Sequence, residues 1–350
     1  MNTTSSSLLC PTPHSESEHI QLAHGEGARL SRRLISQELL AAFANPFLAP
    51  LADAATLPAV DGRLVMTTDS SVVSPLFFPG GDIGSLAVYS AINDLAVSGA
   101  DPLYLSLALI LEEGLPIETL RRVVRSIKEA VQQSGVSIVT GDTKVVPRGA
   151  VDKLFVCMTG IGRLRSDADL GMHRVQPGDK ILVSGTLGDH GLAVLSSREG
   201  LELGDELRSD SAPLHDLVAR LLESGADVHF LRDPTRGGVA AVLHEMVEQS
   251  SFAVHLYERT LPVSPSARGA CELLGLDPLH IANEGKLIAV VGSASVDLAV
   301  NTMRRHPHGV HASVIGEVLA SSSPEVLLIN RFGQLRSIDE PSGAPLPRIC

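Results

Sequence analysis

The chain has 350 residues, 44% of them apolar and only 3% aromatic, with no tryptophan. Its formal charge of −12 argues against a nucleic-acid partner and against an anionic membrane surface. Phosphate-bearing ligands stay open, because acidic proteins hold nucleotides through bound divalent metal. The length suggests two domains, each able to bury a core of Val, Leu, Ile and Ala.

In chain order, residues 1–18 are Ser/Thr-rich and read as a disordered extension. They carry no basic n-region and no long apolar run, so neither a secretory signal nor a transit peptide is expected. His24-Gly25-Glu26-Gly27-Ala28 leads into a helix through about Phe43. Arg63–Thr68 reads as a strand ending at Asp69, Gly80–Gly99 as a helix opened by glycines, and Leu103–Leu111 as a long strand. Pro116–Ser134 is the clearest helix. Leu120, Val123, Val124, Ile127 and Val131 follow its period, with Pro116 in the first turn and Gly135 at the end. Ser137–Thr140 reads as a short strand closed by Gly141-Asp142, and Lys153–Gly162 as another strand. A turn, Gln176-Pro177-Gly178-Asp179, precedes the buried-looking strand Lys180–Val183. The second half adds a helix after Gly237-Gly238 and strands near Leu287–Val291, Ser313–Val318 and Glu325–Asn330. Long strands and helices without strict βαβ alternation predict an α+β fold. The expected domains are 19–174 and 175–335, with a flexible tail over 336–350. No window approaches the length of a membrane-spanning helix.

The tail ends in Pro347-Arg348-Ile349-Cys350. Its prolines favour an extended tether reaching roughly 40 Å, so the terminal thiol suits loading in one place and processing in another. The alternative is a frayed end. Cys10, Cys157, Cys271 and Cys350 show no paired spacing, which predicts neither disulfides nor a zinc site and fits a reducing cytoplasm. Cys157 and Cys271 read as inert packing residues, and His306, His308 and His311 as surface residues.

Asp53, Asp69, Asp94 and Asp142 recur at strand ends or among apolar neighbours. A carboxylate in such a setting is costly unless paired or bound to a cation, and several converging carboxylates fit Mg²⁺. Singly, each also fits a cap or turn. Pro79-Gly80-Gly81-Asp82-Ile83-Gly84 opens a helix whose free N–H groups suit an anion, though an ordinary turn explains it too. Arg232-Asp233-Pro234-Thr235-Arg236-Gly237-Gly238 has the same physics with two arginines. Lys144 beside the acids contacts phosphate or balances charge. Glu284, in Asn283-Glu284-Gly285, is a candidate general base or a solvated turn residue.

Together these motifs, with Thr67-Thr68-Asp69-Ser70, Asn93-Asp94-Leu95-Ala96 and Gly141-Asp142-Thr143-Lys144, resemble the HypE family of hydrogenase maturation proteins over residues 20–350. That family lies in the ATP-binding superfamily of aminoimidazole ribonucleotide synthetase, selenophosphate synthetase and thiamine-monophosphate kinase. The resemblance implies the two-domain fold of that superfamily and a homodimer that joins first-domain sheets. A HypF-type carbamoyltransferase would load Cys350. ATP with Mg²⁺ would then drive dehydration of the S-carboxamide to an S-cyanide, and a HypC–HypD-type scaffold would receive the cyano group on iron. It implies metal ligation by Asp53, Asp69, Asp94 and Asp233, and nucleotide contacts from Gly80, Gly81, Asp82, Asn93, Asp142 and Thr143. Lys144 and Glu284 would lie beside the modified cysteine, with Glu284 as base. The chain departs from the family pattern at Ala28, where another glycine is usual, at Ala52, where a double acid is common, and in the extension 1–18. The rival readings are a metabolite phosphotransferase of the same superfamily and a non-catalytic maturation scaffold.

Overall fold

The computed structural model describes residues 18–350 apart from 202, 205, 249, 342, 344, 345, 347 and 348. The extension 1–17, and Cys10 with it, lies outside the described residues.

The first half is a four-stranded sheet covered on one face by two helices. Its strands are β1 (Leu64–Ser71), β2 (Ala100–Glu112), β3 (Ser137–Val146) and β4 (Leu154–Leu164). Their order is β1-β4-β2-β3, with only β2 and β3 parallel. Parallel neighbours need a crossover, and helix α2 (Ile117–Ser134) supplies it. Its buried stripe is the one the sequence spacing gives: Leu120, Val123, Val124, Ile127 and Val131. Gly135 ends it at φ 68°, a left-handed stop that glycine takes without strain.

Helix α1 (Ile83–Val97) is buried almost all round, as its near-continuous apolar sequence requires. One side packs on the sheet through Leu105, Leu107 and Leu109 of β2 and Val156 and Met158 of β4. Another side meets α4 (His215–Glu223) of the second half. Two polar groups on α1, Ser90 and Asn93, therefore reach across the seam between the halves.

The second half is a seven-stranded sheet formed by β5 (Lys180–Val183), β6 (Val228–Arg232), β7 (Phe252–Tyr257), β8 (Ile288–Val291), β9 (Ser313–Ala320), β10 (Val326–Ile329) and β11 (Leu335–Ser337). The order is β11-β10-β7-β9-β5-β8-β6, with only β7 and β10 parallel. The continuous apolar runs of β5 and β8 are buried on both faces. Helix α5 (Gly238–Glu248) packs on one face, and α4 with α7 (Val296–Arg304) on the other. Helices α3 (Asp189–Glu199) and α6 (Pro265–Leu274) flank the seam. The two-domain α+β organisation agrees with the sequence reading.

Three local expectations need correction. The strand at Ser137 does not close at Gly141. It runs on to Val146, so Asp142 and Lys144 sit in an edge strand rather than a loop. His306 is not a surface residue but is 5% exposed, held beside Asp216. The tail is seated rather than free at both ends: Ile338 is buried and its N–H pairs with Val326 O, while Leu346 and Ile349 are buried in the seam. Among the described residues, no helix is long and apolar enough to cross a membrane.

Candidate active site

A cleft of about 430 Å³ opens at the seam, lined by Asp69, Asp94, Asp233, Glu284, Arg232, Arg236 and the terminal Cys350 among others. Each arrives for a local reason. β1 is an edge strand with alternating exposure, and its inner set, Val65, Thr67 and Asp69, faces the cleft. Asp94 projects from α1 and accepts a 2.6 Å hydrogen bond from the Thr67 hydroxyl. Asp233 follows the end of β6. Behind it, Gly237 and Gly238 both take positive φ. A Cβ on Gly238 would fall 2.5 Å from Leu279 O, so this turn needs glycine to start α5 close to the site.

Glu284 is 2% exposed. Its Oε2 accepts from the Ser90 hydroxyl at 3.2 Å, while Oε1 is buried without a hydrogen-bond partner. The loop that carries it is stitched down. Asn283 Oδ1 accepts from Gly188 N at 2.8 Å, and its Nδ2 donates to Pro234 O at 3.1 Å and Ile281 O at 3.0 Å. Glu284 N donates to Asp210 Oδ1 at 3.1 Å. A Cβ on Gly285 would stand 1.8 Å from Asp210 O, so only glycine permits that crossing.

The electrostatics are those of crowded carboxylates. Burial, then the neighbouring Asp94 and Asp69, push Asp233 up to about 7. Burial also raises Asp94, and Asp69 adds to it. Glu284 is pushed well above its usual range by burial, then by Asp233, Asp69 and Asp210. Burial, then the Glu284 carboxylate, push the Cys350 thiol far up against the pull of Arg236. Beneath the loop, burial works to raise Asp210, but Lys286 at 3.1 Å, with the Glu284 N–H, outweighs it and holds that carboxyl below its usual range. A cleft so arranged disfavours anions on its own and gains from a cation.

Comparisons with known proteins identify the fold and the family. Residues 51–164 match the N-terminal domain of AIR synthase related proteins and residues 176–329 match the C-terminal domain. Carbamoyl dehydratase HypE of Bradyrhizobium diazoefficiens is 48% identical over 332 residues, 95% of this chain and 96% of that protein. The crystal structure of hydrogenase maturation protein HypE in complex with ATP has a TM-score of 0.90 at 47% identity, over 94% of this chain and 99% of that one. The chain belongs to the HypE family of carbamoyl dehydratases. The crystal structure of a HypE–HypF complex is also similar, with TM-score 0.77 and 45% identity over 88% of this chain and 99% of that one.

For a HypE-family chain, the remaining expected site residues fall in four places. Asp53 is exposed on the irregular stretch before β1 and does not line the cleft. Gly80, Gly81 and Asp82 also stand outside it. Asp82 caps its own helix, taking the N–H groups of Gly84 at 2.7 Å and Ser85 at 3.2 Å that an anion would need. Gly80 is glycine because Ser209 N and O would each be 2.7 Å from a Cβ there. Asp142 and Lys144 pair at 3.1 Å on the face of the sheet turned away from α1, and Thr143 sits between them. None of the three touches the cleft of its own chain.

Asn93 is buried and fully engaged, which leaves it nothing for a nucleotide. Its Nδ2 donates to Ala212 O at 3.0 Å and Glu284 O at 3.1 Å, and its Oδ1 accepts from Leu214 N at 2.8 Å. It is a staple from α1 to the base loop and α4. Asn93→Ala strands these buried backbone groups and is expected to lower stability by about 2–3 kcal/mol in urea denaturation. Sequence reasoning also missed Thr67, Ser90, His190 and Asp210. Their signal was weak, since single polar residues in apolar stretches look like ordinary caps until the partner is known.

Proposed function

We propose that the chain converts an S-carboxamide on its own Cys350 to an S-cyanide at the expense of ATP, as a step in making the cyanide ligands of [NiFe]-hydrogenase. The observation that carries this reading is the seating of Cys350 in one cleft with Glu284 and three aspartates. An amide oxygen is a poor leaving group, so it must first take a phosphoryl group. The carboxamide oxygen attacks the γ-phosphate, releasing ADP. The nitrogen gives up two protons, one to solvent as the oxygen is phosphorylated to an imidate and one to Glu284 as the C–O bond breaks, and phosphate carries the oxygen away from the new nitrile. Arg232 and Arg236 suit the phosphates as charged donors.

Mg²⁺ is the cation the donor chemistry fits. Asp69, Asp94 and Asp233 are hard oxygen ligands that repel one another without it. Among the described residues no three such groups already surround one point, so water and phosphate oxygens would complete the shell, as is usual for this ion. Bound there, the ion would neutralise phosphate charge. Asp94→Asn is expected to weaken Mg-ATP binding by roughly 10- to 100-fold, the range for a metal site that loses a supporting group, without changing carbamoyl loading. Titration calorimetry at low Mg²⁺ checks this, and parental affinity would remove Asp94 from the site.

The remaining roles rest on family resemblance and sheet chemistry. The outer face of the first sheet bears Tyr104, Ile110, Phe155 and Ile161, only half-buried, beside Met66 at 69% exposure. A second copy covering this face would make the homodimer and bring its own Lys144 and Asp142 toward the interface. A HypF-type enzyme would load Cys350, and a HypC–HypD-type scaffold in the cytoplasm would receive the cyano group. The test is intact mass. The chain should gain one carbamoyl group with donor and HypF-type partner, then lose one water when ATP is added, with one ADP formed per chain. A carbamoyl adduct that persists with Mg-ATP bound would overturn the dehydratase reading.

A further inference from the structure

His190 is fully buried at the N-terminal end of α3, in contact with the terminal segment. Its Nε2 lies 2.6 Å from Ile349 O, one residue before the reacting cysteine. A carbonyl only accepts, so Nε2 carries the proton. Nδ1 then accepts from the Ser209 hydroxyl at 2.8 Å. That hydroxyl oxygen itself accepts from Ser211 N at 3.1 Å, which leaves its proton free for the ring. Burial lowers the histidine's pKa, in keeping with the neutral ring this tautomer requires. Phe78 stands edge-on to the imidazole, with centroids 5.6 Å apart. The ring is therefore fixed in position and tautomer.

The other contacts at this end are few. Cys350 O accepts from Val72 N of the first half at 3.2 Å. Leu346 packs beside Gly191, where a Cβ would meet Ile281 at 2.5 Å and Leu346 at 3.3 Å. The last two residues are thus gripped from both halves, and among the described residues His190 is the buried side chain that hydrogen-bonds them from the second half. Ser209, which sets the ring, is followed by Asp210, which holds the Glu284 N–H. One short strap fixes both the ring and the base.

We propose that His190 is the positioning residue that seats the cysteine end of the tail beside Glu284, with Ser209 setting its tautomer. Its importance for dehydration rests on the function proposed above; the seating itself does not. His190's share of this seating is a single neutral hydrogen bond, added to the burial of Leu346 and Ile349 and to the Val72 bond, and it steadies the end without fixing it permanently.

The test is maleimide labelling of Cys350 in the full-length protein, read by peptide mapping without partner or ATP. His190→Leu should raise the labelling rate by roughly 5- to 10-fold, the effect of losing one such bond. His190→Gln, whose amide nitrogen reaches the Nε2 position, should restore most of the protection. In single turnover, carbamoylated His190→Leu should dehydrate more slowly by a similar factor with ATP affinity unchanged. Parental labelling of folded His190→Leu would overturn the latch. Should that variant fail to fold, Ser209→Ala should raise labelling by a smaller factor, and no change there would overturn it equally. Normal protection in a parent chain that never dehydrates its carboxamide would instead overturn the functional reading and leave the latch standing.

Discussion

A chain carrying Cys350→Ala is expected to take up no carbamoyl group and still to bind Mg-ATP. The other described thiols are poorly placed. Cys271 is buried in α6, and burial, then Asp277, push its thiol up to about 11. Cys157 is not the buried packing residue its apolar strand suggested. It is half-exposed on the outer face of β4, where the Ser70 hydroxyl donates to its sulfur at 3.5 Å. That makes Cys157 the control that matters, since it is half-exposed in the single chain and does not itself line the cleft. Removing Sγ from Cys350 leaves Asp69, Asp94 and Asp233 in place, so nucleotide affinity is expected to hold.

The same electrostatics favour loading away from the cleft. The nucleophile is the thiolate, and the seated Cys350 thiol is pushed up by burial and by Glu284. Attack on a carbamoyl donor is thus suppressed in the cleft and favoured outside it, in a partner's site. Peptide mapping after incubation with donor, HypF-type partner and ATP checks the assignment. An adduct on Cys157 or Cys271, or an undiminished adduct on the Cys350→Ala chain, would refute it.

What the sequence revealed follows from how local each signal is. Helix α2 was legible because its apolar period, Pro116 and Gly135 are all in one segment. Asp69 and Asp94 were legible as candidates because a carboxylate at a strand end or among apolar residues demands a reason, Glu284 as a carboxylate on a turn, and Asp233 as a metal ligand only through the family resemblance. Their convergence depends on α1 packing between the sheet and α4, a long-range fact that no window contains. The failures have the same origin. Asp82 and Asn93 carry the residue types of a ligand site, but cap geometry and backbone staples consume their polar atoms. Asp142 read as the end of its strand, with Lys144 beyond it, because Gly141 suggested a stop. The strand continues because a Cβ there would lie 2.2 Å from Leu107 O, so glycine serves close strand approach rather than a turn.

Glu284→Gln is expected to accept the carbamoyl group on Cys350, bind ATP, and accumulate S-carboxamide with dehydration slowed by about 10²- to 10⁴-fold, the usual contribution of a positioned base. The substitution keeps size and leaves a side-chain amide that still meets the Ser90 hydroxyl, so a large loss reports the base rather than the fold. The pH profile supplies a second check. A base works only when deprotonated, and burial with the carboxylates of Asp233, Asp69 and Asp210 pushes Glu284 upward. Low pH therefore leaves it protonated and idle, and single-turnover rates should rise with pH along a limb lying above the ordinary carboxylate range. Ser90 lowers that pKa through its bond to Oε2, so Ser90→Ala should move the limb to higher pH. Cation bound at the three aspartates neutralises two of the groups that raise Glu284, so raising Mg²⁺ should move the limb down. In Glu284→Gln the limb should vanish along with the rate. S-cyanide formed by that variant at the parental rate, or an unchanged limb in its profile, would return Glu284 to the role of a buried turn residue and leave the proton to another group.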